Sequence, residues 1–293
     1  MRLTKLYKSN MNHHKISRTV IVGLFLIMSS SLFSQIVLTT PNVESKLYLS
    51  DSSSYQPLIV GLGGSEGGNA WASNYWKNTR DEFLKKGYAF LAIGYFKAKG
   101  TPDTLNRISI EDVHNAIIEA TKNPAINKNK IAIIGGSRGG DLALLIGTYF
   151  KDIKAVVAIV PSHVAFPGNT DHFSTSSWTY KGKELAFVPV SEEAVPALIK
   201  HDLRSAFEIM LKDSIAEQKA IIQVEKINGP VLLISATKDE VCPSTPMCEK
   251  MIARLKTKKF KYHYEHIAIE GTHGSPLKHF DKVFNFLDKY FGK

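Results

Sequence analysis

Three side-chain types along the chain can together cleave a bond by nucleophilic attack. Ser137 stands in Gly135-Gly136-Ser137-Arg138-Gly139, a match to G-x-S-x-G. Glycines two before and two after the serine remove side chains that would collide in a sharp bend. A serine hydroxyl is a weak nucleophile at neutral pH. A neighbouring base must take its proton, and a carboxylate must hold that base in one tautomer. Asp239, in Ala236-Thr237-Lys238-Asp239, and His273, in Glu270-Gly271-Thr272-His273-Gly274, supply these roles in the order Ser, acid, His. Glu240 adjoins Asp239 as a competing acid. His263 and His266 fall inside a strand pattern and His279 on the closing helix, whereas His163 and His172 fall where they could line a pocket.

Attack on an acyl carbon creates an oxyanion, which needs N–H donors already in place. The amide after the nucleophile, Arg138, is one expected donor. The second is expected from the turn Gly61-Leu62-Gly63-Gly64-Ser65-Glu66-Gly67-Gly68, where Gly63, Gly64 and Ser65 are candidates and Gly64 is preferred. A phosphate-binding reading of this turn lacks both the G-x-x-x-x-G-K-[ST] pattern and the glycine spacing of a dinucleotide site.

Apolar runs at residues 58–60, 88–93, 130–134, 153–160, 230–235 and 262–269 read as strands. Helical patterns at residues 71–86, 110–121, 141–149, 247–255 and 277–291 separate them. Continuous Val/Ile/Leu strands alternating with helices predict a doubly wound, mainly parallel sheet covered on both faces. The three candidate residues then follow strand ends, where such sheets present their functional groups. Residues 161–224 break the alternation and read as a cap over that edge, with one helix at about 191–218 and with Phe166, Phe173, Trp178 and Tyr180 available to an apolar pocket.

The first 34 residues hold five basic side chains, no acidic ones, an apolar run at residues 20–28 and then small residues. That order predicts a signal peptide and export, with cleavage after Ser31 or Ser34; the alternative is an uncleaved anchor running on through Ile36 and Leu38. The formal charge is +10, but the remaining 32 basic and 27 acidic residues leave only +5, which gives no reason to expect nucleic acid as a partner. Once the signal is removed, no membrane association is expected. Export permits a disulfide between Cys242 and Cys248 without requiring one. Two thiols with no second pair do not predict a metal site; neither metal nor cofactor is expected.

The segments 62–68, 87–96, 133–144 and 153–162, extended by 178–185 and 235–239, resemble the C-terminal catalytic domain of acyl-CoA thioesterases and bile acid-CoA:amino acid N-acyltransferases, a dienelactone-hydrolase-like α/β-hydrolase. The resemblance runs from about residue 57 onward. It implies the α/β-hydrolase fold and the triad Ser137, Asp239 and His273. Serine in place of the cysteine of amino-acid-conjugating members implies hydrolysis of an acyl ester or thioester, a small-molecule substrate. Two other readings stay open: the elbow also resembles that of prolyl-oligopeptidase-type peptidases, and a hydrolase fold can serve as a non-catalytic binding protein.

Overall fold

The computed structural model describes residues 34–50 and 55–292. The predicted signal peptide lies outside these residues except for Ser34, which opens the first strand. That strand, β1 (Ser34–Thr40), folds back on β2 (Val43–Leu49) as an antiparallel hairpin. Ile36 and Leu38, through which an anchor would have continued, pack from β1 against the protein core. The sequence reading left this hairpin out.

The central sheet continues through β3 (Gln56–Leu62), β4 (Ala89–Gly94), β6 (Ile126–Gly136), β7 (Ile153–Ile159), β10 (Val231–Ala236) and β11 (Tyr264–Ile269). Two short strands, β8 (Trp178–Tyr180) and β9 (Lys183–Glu184), join β5 (Ile108–Ser109) in a small separate sheet. The eight-stranded order is β1-β2-β4-β3-β6-β7-β10-β11, parallel from β4 onward and antiparallel only at β1–β2 and β2–β4. Every residue of β3, β4 and β10 is buried, which is why these strands read as unbroken apolar runs.

Helices cover both faces. On one side lie α2 (Ile110–Thr121), α3 (Arg138–Tyr149) and α7 (Ser244–Thr257); on the other lie α1 (Lys77–Lys85) and α8 (Phe280–Tyr290). Side chains alternate between the two layers along β4: Leu91 and Ile93 join the first, Phe90 and Ala92 the second. Helix α2 has the predicted bounds because Ser109 caps it, its Oγ accepting the Asp112 N–H at 3.1 Å, and Ile110, Val113 and Ile117 form its buried stripe.

Three predicted helices are shorter than expected, the closing one because Ser275–Lys278 form a separate 3-10 turn before α8. Residues 71–86 divide into a 3-10 turn, Ala70–Ala72, and α1, because Ser73 adopts extended backbone (ψ 164°). The helix expected at 191–218 is a 3-10 turn, Glu192–Ala194, followed by α4 (Val195–Ile199), α5 (Leu203–Met210) and α6 (Ser214–Ala220). Asp202 and Asp213 restart the helix, their carboxylates accepting N–H groups of the new first turns. These pieces belong to the insertion between β7 and β10, which has its own small core around Val164, Phe166, Val188 and Met210.

Candidate active site

Ser137 occupies the single residue between β6 and α3. Its backbone lies at φ 53°, ψ −123°, a strained conformation for a residue with a Cβ. Its N–H donates to Ile159 O at 2.8 Å, which fixes the bend to the neighbouring strand. The flanking glycines are steric requirements: an added Cβ at Gly135 would lie 1.9 Å from Gly139 O, and one at Gly139 would lie 2.3 Å from Gly63 O. Arg138 begins α3, so its N–H has no partner within the helix and is available to a reacting oxygen.

Asp239 and His273 come together from the ends of β10 and β11. His273 Nδ1 lies 2.9 Å from Asp239 Oδ1 and 3.0 Å from Oδ2. Asp239 is fully buried, and four further groups hold its carboxylate: the Val241 and Cys242 N–H groups, Ser244 Oγ at 2.6 Å and, more weakly, the Cys242 thiol. Burial pushes Asp239 up, but the hydrogen bonds from His273, Ser244 and Cys242 more than offset it and leave the carboxyl below its usual range. It is therefore ionised and able to hold imidazole. His273 Nε2 makes no hydrogen bond among the described residues, and Ser137 Oγ is not bonded to it.

The expected second oxyanion donor is occupied within the protein. The Gly64 N–H is already donated to Glu66 Oε1 at 2.9 Å. Gly64 itself lies against the elbow, as its position relative to Ser137 requires.

A cavity of about 520 Å³ opens beside Ser137. Its walls are largely apolar: Val160 below, Phe166 and Phe173 from the insertion, and Leu203, Phe207 and Met210 from one face of α5. Trp178 and Tyr180 do not contribute; they sit in β8 and pack with the main core. His172 is exposed, and His163 is bonded at 2.6 Å to Glu217, facing a different cavity. At the base of the first cavity Arg138 reaches Pro167 O at 3.3 Å and lies 3.7 Å from Asp141 Oδ2. Burial pushes Asp141 up to about 6, against the pull of Arg138 and of its bond from the Ser162 N–H.

Several further residues shape the site, and of these only Glu240 is singled out by the sequence. Glu240, weighed as an alternative acid, instead accepts the His273 backbone N–H at 2.9 Å. Tyr95 donates its hydroxyl to Gly63 O at 2.6 Å and anchors the turn after β3. Arg204 on α5 donates to Asp239 O at 2.7 Å. Val160 sits at φ 46°, unusual for a β-branched residue; its N–H donates to Ile234 O at 2.6 Å and its carbonyl faces Cys242 Sγ at 3.9 Å.

Both cysteines are free and buried. Cys242 faces Asp239 and Val160, whereas Cys248 is on α7 and packs into the main core. Asp239, Cys242 and His273 have donor atoms within 4.8 Å of one another. They fit a metal poorly. Burial pushes the Cys242 thiol well above its ordinary range, and the other two groups are engaged with each other.

Residues 108–274, more than half the chain, match the family described as BAAT / Acyl-CoA thioester hydrolase C terminal. The chain belongs to this family. Among its relatives are rat acyl-coenzyme A thioesterase 1, 28% identical over 171 residues, and mouse acyl-coenzyme A amino acid N-acyltransferase 1, 25% identical over 172. Each alignment covers 58% of this chain and 38% of the relative, so this BAAT-family chain matches well under half the length of those proteins. Solved structures carry the fold. An esterase from Pyrococcus furiosus superposes with a TM-score of 0.58 at 19% identity over 89% of this chain and 93% of its own. The Pyrococcus horikoshii acylaminoacyl peptidase superposes with a TM-score of 0.62 at 14% identity, over 89% and 42% respectively. The family member described here is thus an α/β-hydrolase fold with a mostly parallel central sheet.

Proposed function

We propose that this chain is a serine hydrolase that cleaves a carboxylic ester or an acyl thioester through an acyl-enzyme on Ser137. The observation that carries the reading is the buried Asp239 carboxylate bound to His273 Nδ1 at 2.9 Å, which leaves Nε2 to accept a proton. In this reaction His273 takes the Ser137 proton as Oγ attacks the acyl carbon. The oxyanion is met by the Arg138 N–H at the start of α3. His273 then protonates the leaving alcohol or thiol, and afterwards activates water to release the acid. Asp239 holds the ring and stabilises its charged form without itself taking the proton. The apolar cavity beside Ser137 suits an acyl chain. Thioesters of coenzyme A enter as candidate substrates through the names of the rat and mouse relatives. Export through residues 1–34 belongs to the same proposal; mass spectrometry of secreted protein starting at residue 32 or 35 supports it, and an intact Met1 on membranes overturns it.

The test is turnover of p-nitrophenyl esters and acyl thioesters, beside an aminoacyl-nitroanilide, by wild type and Ser137→Ala. Loss of activity on the order of 10⁴-fold, with loss of fluorophosphonate labelling at residue 137, is the expected result. A Ser137→Ala protein that retains most turnover, or a folded wild type that takes no label and cleaves no acyl substrate, ends the reading.

A further inference from the structure

The turn after β3 carries a carboxylate at the donor where a reacting oxygen would be met. Gly64 packs on the elbow: a Cβ added there would lie 3.1 Å from Gly136 O and 3.3 Å from Ser137 Cβ. Its N–H is nevertheless donated at 2.9 Å to the side chain of Glu66, two residues along. Glu66 is exposed and follows Ser65, which lines the cavity.

The two partners in this contact are held very differently. The Gly63–Gly64 backbone is fixed from behind, by the Tyr95 hydroxyl on Gly63 O at 2.6 Å and by the close approach of Gly139. The chain after Glu66 runs through Gly67 and Gly68, both at φ 70°, and the bond that closes the turn, Gly67 N–H to Gly64 O, is long at 3.4 Å. The Gly68 N–H is held by Phe96 O at 2.8 Å, so what can move off this rigid donor is the exposed Glu66 side chain rather than the loop backbone. A carboxylate and a developing oxyanion are both negative and cannot share one N–H at hydrogen-bond distance.

We propose that Glu66 is an internal competitor for the oxyanion: its carboxylate occupies the Gly64 donor at rest and must swing out when Ser137 Oγ attacks the acyl carbon. This rests on the serine-hydrolase reading above. It makes Gly64 a second oxyanion donor only after Glu66 has moved. The opposite role, Glu66 bracing Gly64 so that the elbow keeps its shape, predicts the opposite kinetics.

The experiment measures kcat/KM of Glu66→Ala and Glu66→Gln for a neutral p-nitrophenyl ester, together with a structure of the wild type phosphonylated at Ser137. Removing an exposed carboxylate contact of this kind is expected to raise kcat/KM about two- to fivefold in Glu66→Ala, with Glu66→Gln between it and the wild type. In the adduct a phosphonyl oxygen is expected to accept the Gly64 N–H, with Glu66 rotated into solvent. Unchanged or reduced kcat/KM in a folded Glu66→Ala, or an adduct in which Glu66 keeps the Gly64 N–H, overturns the proposal while leaving the hydrolase reading intact. A wild type that takes no label at Ser137 overturns both.

Discussion

Glu240 Oε2 accepts the backbone N–H of His273 at 2.9 Å, while the side chain of the preceding residue, Asp239, holds the ring of the same histidine. The His273 loop is thus gripped twice from one turn, once through its main chain and once through its imidazole. Glu240→Ala is expected to lower kcat by about fivefold, the scale of one lost charged hydrogen bond, with KM little changed. Glu240→Gln, whose amide oxygen can still accept the bond, should retain most of the rate. Equal kcat in wild type and Glu240→Ala would remove the backbone grip from the account.

Arg204 lies next to Leu203 on α5, the helix whose Leu203, Phe207 and Met210 wall the cavity. Its bond to Asp239 O at 2.7 Å ties that wall to the acid's turn. Arg204→Ala should therefore raise KM several-fold for a bulky apolar ester and leave the acetate ester nearly unaffected. Arg204→Lys should recover part of the difference. Identical chain-length profiles for wild type and Arg204→Ala would show that the wall is held elsewhere.

Asp141 provides a pH signature. Burial pushes its carboxyl up to about 6 from an unfolded value of 3.8, despite Arg138 and the Ser162 N–H. An acid whose folded pKa is raised binds its proton more tightly when folded. Its contribution to stability is then fullest below about pH 4 and is lost as pH rises through about 6, a change on the order of 3 kcal/mol. Asp141→Asn should gain melting temperature relative to wild type across that window. A difference in Tm that does not vary between pH 4 and 7 would argue against the shift.

Gly139 faces the backbone at the end of β3, since an added Cβ would meet Gly63 O at 2.3 Å and Leu62 O at 2.8 Å. Gly139→Ala should cost at least about 1–3 kcal/mol and lower Tm by about 2–4 °C for each of these. Gly136, where no atom lies within 4 Å of an added Cβ, provides the matched control for stability. Equal Tm for the two alanine variants would contradict the close approach.

Much of this was legible in the sequence for identifiable reasons. Strand β10 and the stretch 131–134 of β6 are legible because parallel strands buried on both faces must be apolar there. Order and places after strands single out Ser137, Asp239 and His273 as candidates, and the structure brings Asp239 and His273 into contact. The β1–β2 hairpin was missed because its strands, with Glu44 and Lys46 among apolar neighbours, mix polar and apolar residues at the sheet edge and directly follow an apolar leader pattern. The cap helix was overextended because Asp202 and Asp213 look like ordinary polar positions on a helix until their carboxylates are seen to cap new first turns. The Glu66 contact had no sequence signal, since nothing in a glycine-rich string says which amide a nearby carboxylate will reach.

The left-handed Val160 has a mechanical consequence for engineering. Its predecessor Ile159 takes the Ser137 N–H, and Val160 itself hooks onto Ile234 in the strand that leads to Asp239. Ser137 and Asp239 therefore share a common pivot at the tip of β7. A substitution at this pivot that changes how the chain bends should carry both groups with it as one body, so a designer seeking to move one relative to the other must work from the His273 side instead.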